Sequence, residues 1–170
     1  HAPDELDCHP LLREHFGEKL KAENIKAWRE AHCRLYEYYK TRAKELPDTL
    51  EEMSPLFAAV MHGCQAGKQQ DTFFEIYLRR IQRGVGESFN ANKLGALGDE
   101  LAVLSSFFDL PWRRPVEGLR EDVKGFVLNE AGYDLRALGR LEDATQSMQA
   151  CLETFLDQKD WKLSATAAPC

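Results

Sequence analysis

The chain has 170 residues, of which 44% are hydrophobic and 29% are charged, and its formal net charge is −6. This acidic balance argues against a protein that binds nucleic acids or anionic membranes in general, because such partners need a positive field. No run of about 18 apolar residues predicts a transmembrane helix, and no secretory signal is visible. We therefore expect a soluble, cytoplasmic protein made of one domain or a short stack of repeats.

Apolar residues recur along most of the chain at steps of three and four, which is typical of amphipathic helices and predicts an all-α fold without strands. Prolines, glycines and capping residues set the predicted boundaries; Ser54-Pro55, for example, predicts an N-cap followed by proline at the first helical position. The predicted helices cover residues 11–20, 24–45, 54–67, 71–83, 92–108, 120–138 and 141–157, and a last one begins near 161. The stretch between Pro111 and Pro115 is predicted to be a loop.

Two segments of the chain repeat after a shift of 34 residues. The repeated positions are Leu94, Leu97, Gly98 and Leu101 in the first copy, and Leu128, Ala131, Gly132 and Leu135 in the second. The second copy is followed by a turn glycine, Gly139, then by Ala144, Met148 and Cys151. Small residues in this order let paired helices approach closely, and larger ones fill the gaps. A weaker copy lies 72 residues before the second, at Leu56, Ala59, Val60, Gly67, Thr72 and Ile76.

This order resembles the tetratricopeptide repeat (TPR), which implies antiparallel helix pairs stacked into a right-handed α-solenoid. On this resemblance, residues 54–170 are TPR-like repeats, with an irregular middle unit at 90–123 and a truncated last repeat. The middle unit is irregular because 72 is not twice 34 and because two prolines fall where its second helix is expected. Residues 1–22 precede the repeats as the tail of a winged-helix-like segment, and residues 23–53 as a connecting helix. The open C-terminal end of such a stack also predicts self-association.

Residues 6–16, Leu-Asp-Cys-His-Pro-Leu-Leu-Arg-Glu-His-Phe, resemble the end of the winged-helix domain of STAND-type signal-transducing NTPases. This class includes the nucleotide-binding apoptotic and plant immune receptors, and bacterial members often carry His-Pro where others have His-Asp. Residues 27–36 are similar to the helix that leads from that domain into a repeat region. The resemblance implies an upstream nucleotide-binding domain as a partner, with His9 contacting the phosphates of its ADP. Within this chain alone, the alternative for His9 is a surface or helix-capping role.

On the predicted helix of the last full repeat, Asn129, Tyr133 and Arg136 are spaced four and three residues apart, off the packing stripe. In tetratricopeptide arrays such positions line the groove that holds an extended peptide, so the resemblance implies a binding surface here. An asparagine amide can bond a peptide backbone, and an arginine can bind a carboxylate. The equivalent positions in the other units include Asp99, Phe57 and Met61. We therefore expect a ligand with both apolar and polar groups.

Two basic clusters are further candidates for contact with a carboxylate, a phosphate or an acidic partner segment. They comprise Arg79, Arg80 and Arg83, and Trp112, Arg113 and Arg114. The alternative is a solvated helix end and a solvated loop, since arginines at a helix C-terminus also interact favourably with the macrodipole.

No motif with a catalytic or metal-binding mechanism is present. The glycine-rich stretch 63–69 lacks a Ser or Thr after its lysine and a preceding strand, so it is not a phosphate loop. His62 with Cys64, and His32 with Cys33, point to different faces of a helix and are poor joint metal ligands. The five cysteines are scattered without a Cys-x-x-Cys pair, so no disulfide framework is predicted. We expect no catalytic residue, no metal and no cofactor.

The sequence therefore predicts a module that acts by binding a protein or peptide, as the sensor or regulatory region of a multidomain signalling NTPase. The first alternative is a free-standing peptide-binding adaptor. The second is an enzyme or metal protein on a helical scaffold.

Overall fold

The structure is a computed structural model, and it describes residues 9–157. Its α-helices are α1 (Pro10–Glu23), α2 (Ile25–Arg42), α3 (Leu50–Gln65), α4 (Gln69–Thr72), α5 (Phe89–Leu94), α6 (Leu97–Leu104), α7 (Glu121–Ala137) and α8 (Leu141–Asp157). α4 continues into a π-helix (Phe73–Ile81), and α6 into a 3-10 turn (Ser105–Phe107), followed by strands β1 (Phe108–Leu110) and β2 (Arg114–Pro115). The described chain is mostly helical, which confirms the all-α prediction in its coarse form. The helix predicted from residue 161 lies outside the described residues.

The helices pack as antiparallel neighbours around one apolar core. α2 lies against α3, and α7 lies against α8. In both pairs an earlier residue of the first helix meets a later residue of the second, as His32 meets His62 and Gly125 meets Phe155. α6 packs on both α3 and α7 and so bridges the two pairs. Over residues 9–157, no helix combines the length and apolar character needed to cross a membrane.

The pair α7 and α8 approaches most closely at small residues. A Cβ atom at Gly132 would lie 2.9 Å from Met148 Cγ, and one at Gly125 would overlap the Phe155 ring. The buried Cys151 thiol lies 3.3 Å from the Gly125 carbonyl oxygen. Small residues therefore occupy the helix crossing, as their spacing in the sequence predicts.

The segment that begins with α3 and the segment that begins with α7 are matched after a shift of 72 residues. They share a turn glycine and a pattern of buried residues. Gly67 follows α3 and Gly139 follows α7, and both have left-handed backbone angles, with φ of +84° and +77°. Glycine adopts such angles at little cost, which explains its use at the end of a helix. The other matched positions are buried, apart from the partly buried Met148: Leu56, Ala59, Val60, Thr72 and Ile76, and Leu128, Ala131, Gly132 and Ala144.

α3 begins earlier than predicted. Thr49, rather than Ser54, is the N-cap, and its hydroxyl accepts a hydrogen bond from the Glu52 N–H at 3.2 Å. The Glu52 carboxylate in turn accepts one from the Asp48 N–H at 2.9 Å. This reciprocal capping outweighs the proline signal, because Pro55 removes only one N–H donor from the second turn of the helix.

The single helix predicted over 92–108 is wrong in extent, because Gly95 ends α5 with φ of +65° and α6 begins two residues later. The first copy of the 34-residue repeat therefore spans a break. The expectation of no strand is also wrong, since β1 and β2 form an antiparallel hairpin with Phe108 opposite Pro115. Pro111 disfavours helical backbone in the residue before it and Pro115 lacks an N–H, so this segment forms a hairpin and not a helix.

Candidate functional site

A groove runs along the exposed side of α3. It consists of two adjoining cavities of about 580 and about 440 Å³, which share Met61, Gln65, Ser105 and Ser106. The larger cavity, here the apolar end, is lined mainly by Phe57, Ala58, Met61, Ala102 and Val103. The smaller cavity, here the polar end, is lined by residues that include Lys21, Trp28, Arg29, Gln69 and Asp109. We call the two together the α3 groove.

Three of the residues predicted to line a groove meet in the apolar end. Phe57 and Met61 come from α3, and Asp99 comes from α6. Met61 is 42% exposed and borders both cavities. Phe57 and Met61 face the groove because the opposite face of α3, with Leu56 and Val60, is fully buried in the core.

The other three predicted groove residues lie elsewhere. Asn129, Tyr133 and Arg136 are on α7, and none of them lines the α3 groove. Tyr133 and Arg136 are exposed, and the guanidinium of Arg136 lies 5.8 Å from the centroid of the Tyr133 ring. The structure therefore does not join all the predicted positions into one groove.

The polar end of the α3 groove carries two cationic side chains. Lys21 comes from the last turn of α1 and Arg29 from α2. The Lys21 ammonium lies 6.0 Å from the centroid of the Trp28 ring, which packs on His32 at 4.1 Å. Burial, and then the charge of Lys21, lowers the pKa of His32. This end of the groove therefore carries two cations against one acidic residue, Asp109, among its described lining.

The first predicted basic cluster is mainly structural. Arg80, in the π-helix that takes up most of the helix predicted over 71–83, is only 5% exposed. Its guanidinium donates at 2.9 to 3.2 Å to the carbonyl groups of Lys40, Ala43, Lys44 and Glu45. Main-chain carbonyl groups near a helix C-terminus lack N–H donors within the helix, and the Arg80 guanidinium donates to them instead. The prediction of Arg80 as a contact for an external anion is therefore wrong.

The neighbours of Arg80 also bind the segment between α2 and α3. Arg79 forms an ion pair with Glu45 at 2.9 Å, and Arg83 forms one with Asp48 at 3.0 Å. The Arg83 guanidinium also lies over the Phe89 ring, 3.4 Å from its centroid. Both arginines are thus engaged within the protein.

The second basic cluster lies on the hairpin. Trp112 is buried and meets Phe108 edge to face at a centroid distance of 5.5 Å. Arg113 donates to the Gln146 side chain at 2.7 Å, whereas Arg114 is exposed on β2. Trp112 therefore anchors the hairpin in the core and is not free to hold a ligand.

Two histidines from neighbouring helices form a contact that the sequence did not indicate. Nδ1 of His32 lies 2.8 Å from Nδ1 of His62, so one ring must donate and the other accept. Burial, and then the neighbouring His32, lowers the pKa of His62 to about 4. Tyr39 stacks on His62 at 5.6 Å. The two histidines are 30 residues apart in the chain. Sequence spacing pairs each of them only with a neighbouring cysteine, so it could not predict their contact.

A buried carboxylate at the centre of the molecule is the second feature that sequence reasoning missed. Glu100, on α6, is 1% exposed. It accepts hydrogen bonds from the Tyr77 hydroxyl, from the Gln82 amide at 2.6 Å and from the Asn90 amide at 2.8 Å. Three donors satisfy it without a cation, since no ion pair of Glu100 occurs in the part of the chain that the structure describes.

Two further carboxyl groups from α7 adjoin Glu100. Burial, and then repulsion from Glu100, raises the pKa of Glu130 to about 7. Burial, and then repulsion from Glu100 and Glu130, raises the pKa of Asp134 to about 8. We call Glu100, Glu130 and Asp134 the buried acid cluster. Because the last two titrate near neutral pH, the cluster can bind or release protons, but it does not line the α3 groove.

His9 and the cysteines complete the predicted candidates. His9 is the N-cap of α1, where its Nδ1 accepts a hydrogen bond from the Leu11 N–H at 3.3 Å. Burial raises the pKa of the Cys64 thiol, and it raises that of Cys151 to about 12, so neither is a reactive thiolate. Within residues 9–157, no group of three or more His, Cys, Asp or Glu side chains could hold a metal ion.

The α3 groove therefore combines an open cavity, exposed apolar side chains and two cations, Lys21 and Arg29, that form no ion pair with another described residue. Comparison with known proteins adds no assignment, since no protein-family model, no curated protein and no solved structure matches the chain.

Proposed function

We propose that the chain is a TPR-like helical module that binds a protein or peptide segment in the α3 groove. The observation that carries this proposal is the position of Phe57, Met61 and Asp99. The repeat register predicts all three as groove residues, and they line one open cavity. A concave surface with exposed apolar side chains and a few polar groups is typical of a binding site.

Binding in the apolar end is driven by removal of apolar surface from water. Met61 is unbranched and polarisable, so it can adapt to different apolar side chains of a ligand. Phe57 is partly buried and supplies a fixed wall. The Asp99 carboxylate is exposed at the rim, where it can accept a hydrogen bond from a backbone N–H of the ligand.

The proposal includes the repeat architecture. α3 with the π-helix, and α7 with α8, are taken as repeat-like helix pairs, and α5, α6 and the hairpin as a reduced middle unit. The matched left-handed turns at Gly67 and Gly139 support this interpretation. So does α6, which packs on both α3 and α7.

The proposal also assigns the module to a bacterial STAND-type NTPase, in which a ligand in the groove regulates a separate nucleotide-binding domain. The resemblance of residues 6–16 and 27–36 supports this context. A ligand shifts a resting state to an active state only by the difference between its affinities for the two. We expect the coding sequence upstream of His1 to contain a phosphate loop and its acidic metal-binding partner. Their absence would leave the free-standing adaptor.

A peptide selection tests the binding function directly. The immobilised chain selects from a random dodecamer phage library, and the selected peptides are labelled and titrated by fluorescence polarisation. We expect dissociation constants in the micromolar range, on the order of 10 μM. Met61→Glu is expected to weaken binding about tenfold or more, because it places a charge in the apolar end.

Matched variants control for general effects on the surface. Leu141→Glu introduces the same charge at an exposed apolar residue outside the α3 groove, and it is expected to bind like the wild type. Asn129→Ala and Arg136→Ala are expected to do the same, because both residues lie outside the groove. The proposal fails if no peptide is enriched over the empty matrix, or if folded Met61→Glu binds as tightly as the wild type.

A further inference from the structure

We infer that the α3 groove selects a partner segment in which an acidic side chain lies a few residues from an apolar one, with the acidic group bound by Lys21 and Arg29. This inference rests on the proposed function and names the chemistry of the partner. Both cations line the polar end, and Asp109 is the one acidic residue among those lining it in the described chain. Met61 then continues the surface into the apolar end.

The two cations are available to a ligand. Most of the other cations around α2, α3 and the π-helix are paired within the protein: Lys40 with Glu75, Lys44 with Glu52, Lys68 with Glu37, Arg79 with Glu45, and Arg83 with Asp48. No ion pair between described residues involves Lys21 or Arg29. A carboxylate can therefore bind there without breaking an internal pair, and complementary charge favours both its approach and its orientation.

The Lys21 ammonium is placed by its surroundings. It lies 6.0 Å from the centroid of the Trp28 ring, within reach of a cation–π attraction. Trp28 itself packs on the buried His32 at 4.1 Å, which restrains the ring. Restraint of a long side chain before binding lowers the entropy lost when it contacts a ligand.

Polar groups lie where the two ends of the groove meet. The side chains of Gln65 and Ser106 line both cavities, and neither makes a side-chain hydrogen bond to another described residue. An amide and a hydroxyl can each donate to and accept from a peptide backbone. An extended segment therefore meets the cations in the polar end, and Gln65, Ser106 and Met61 where the two ends join. A compact anion such as phosphate can occupy only the polar end.

The composition of selected peptides tests the inference. From a random dodecamer library, the wild-type chain is expected to enrich Asp or Glu at a fixed spacing from Leu, Met or Phe. The double variant Lys21→Gln/Arg29→Gln is expected to retain the apolar enrichment and to lose the acidic one. A control double variant, Lys93→Gln/Arg114→Gln, removes the same charge at exposed residues outside the groove. It is expected to select the same peptides as the wild type.

Titration then measures how strongly the two groove cations interact with the acidic groups of the peptide. The tightest acidic peptide and its version with Asn and Gln in place of Asp and Glu are titrated at about 50 and about 300 mM NaCl. We expect the groove double variant to weaken the acidic peptide about 5- to 20-fold at low salt, from two partly exposed charge pairs. The dissociation constant of the neutral peptide is expected to change less than about 2-fold. The difference between the effects on the two peptides is the interaction between the cations and the acidic groups.

Each outcome separates this inference from the proposed function. If acidic residues are not enriched, or the groove double variant binds the acidic peptide like the wild type, the inference is wrong. Peptides that still depend on Met61 then leave the proposed function standing. If no selected peptide depends on Met61, both are wrong. Full competition of the acidic peptide by inorganic phosphate at a similar dissociation constant would identify a compact-anion site and overturn the inference.

Discussion

Arg80 and Glu100 are both buried ionisable residues, with 5% and 1% of their surface exposed, but their surroundings differ. Arg80 donates to four main-chain carbonyl groups at the end of α2, and the Glu45 carboxylate lies 3.6 Å away. Glu100 has three side-chain donors and lies beside Glu130 and Asp134, which add two more acidic groups.

The difference shows how a fold accommodates a buried charge. The carbonyl groups at the end of α2 are already oriented by the helix, so they stabilise the guanidinium without further ordering. Three neighbouring carboxyl groups cannot all ionise in a poorly solvated site, so protons remain bound. Arg80 therefore keeps its charge with the help of backbone dipoles, whereas the buried acid cluster loses charge by protonation.

Loss of Arg80 is expected to have the largest effect on stability. Arg80→Met keeps the apolar stem but leaves the carbonyl groups at the end of α2 without their donor, and we expect a cost of about 3 to 5 kcal/mol. Urea unfolding at neutral pH measures it. Arg79→Met removes an exposed ion pair with Glu45 and is expected to cost less than about 1 kcal/mol. Equal costs for the two variants would contradict the role of Arg80 as a cap.

The buried acid cluster is expected to make the protein less stable as the pH rises. The pKa values of Glu130 and Asp134, about 7 and about 8, exceed those of ordinary carboxyl groups. The folded protein keeps protons that the unfolded chain releases, so the free energy of unfolding falls as the pH rises from about 4 towards 8. We expect Asp134→Asn to raise it by on the order of 2 kcal/mol at about pH 8.

Urea unfolding of Asp134→Asn at several pH values checks this expectation. The gain is expected to shrink steadily as the pH is lowered towards 4, because Asn resembles the protonated carboxyl group. A gain of the same size at about pH 5 and about pH 8 would instead indicate an effect of packing.

The histidine pair is expected to titrate in the opposite sense. The pKa of His62, about 4, lies below its ordinary value of 6.5, so its contribution to stability is complete above about pH 6.5. It is lost as the pH falls towards 4, by on the order of 1.5 kcal/mol. His62→Gln is expected to remove most of this acid-side loss, measured by urea unfolding between about pH 7 and 5. His15→Gln, at an exposed histidine of α1, is the control.

The effect of helix packing at α7 on stability can be measured separately from the protonation of Glu130 and Asp134. Gly132→Ala places a Cβ atom 2.9 Å from Met148 Cγ, and we expect a loss of about 1 kcal/mol that is the same at every pH. Gly98, its counterpart in the 34-residue repeat, has nothing within 4 Å of an added Cβ atom. Gly98→Ala is therefore expected to stabilise α6 by about 0.5 kcal/mol. Thermal unfolding compares the two, and a shift of the same sign in both would contradict the structure.

Local signals in the sequence predicted part of the fold and part of the candidate site. The turn glycines Gly67 and Gly139, and the close approach at Gly132, follow from spacing along single helices. The start of α3 did not, because reciprocal capping by Thr49 competes with the signal of Ser54-Pro55. The hairpin was missed because Pro111 and Pro115 predicted only a loop, and because Phe108 continues the helical spacing of the segment before it.

For the α3 groove, the repeat register predicted Phe57 and Met61, because groove positions recur on one face of a helix. Lys21 and Arg29 were not predicted, because they come from α1 and α2 and reach the groove only through packing. Arg80 was predicted to contact an external anion or the solvent, because the sequence shows that it lies between Arg79 and Arg83 but not that its side chain is buried under the end of α2.

The sequence by itself determined the helical character of this protein and the small residues at its helix crossings, because periodicity and steric demand are local properties. Only the tertiary structure decided which distant side chains share an environment. His32 and His62 are 30 residues apart, and Gln82 and Glu130 are 48 apart. The ionisation of such groups depends on burial and on neighbours from other elements, which packing alone brings together.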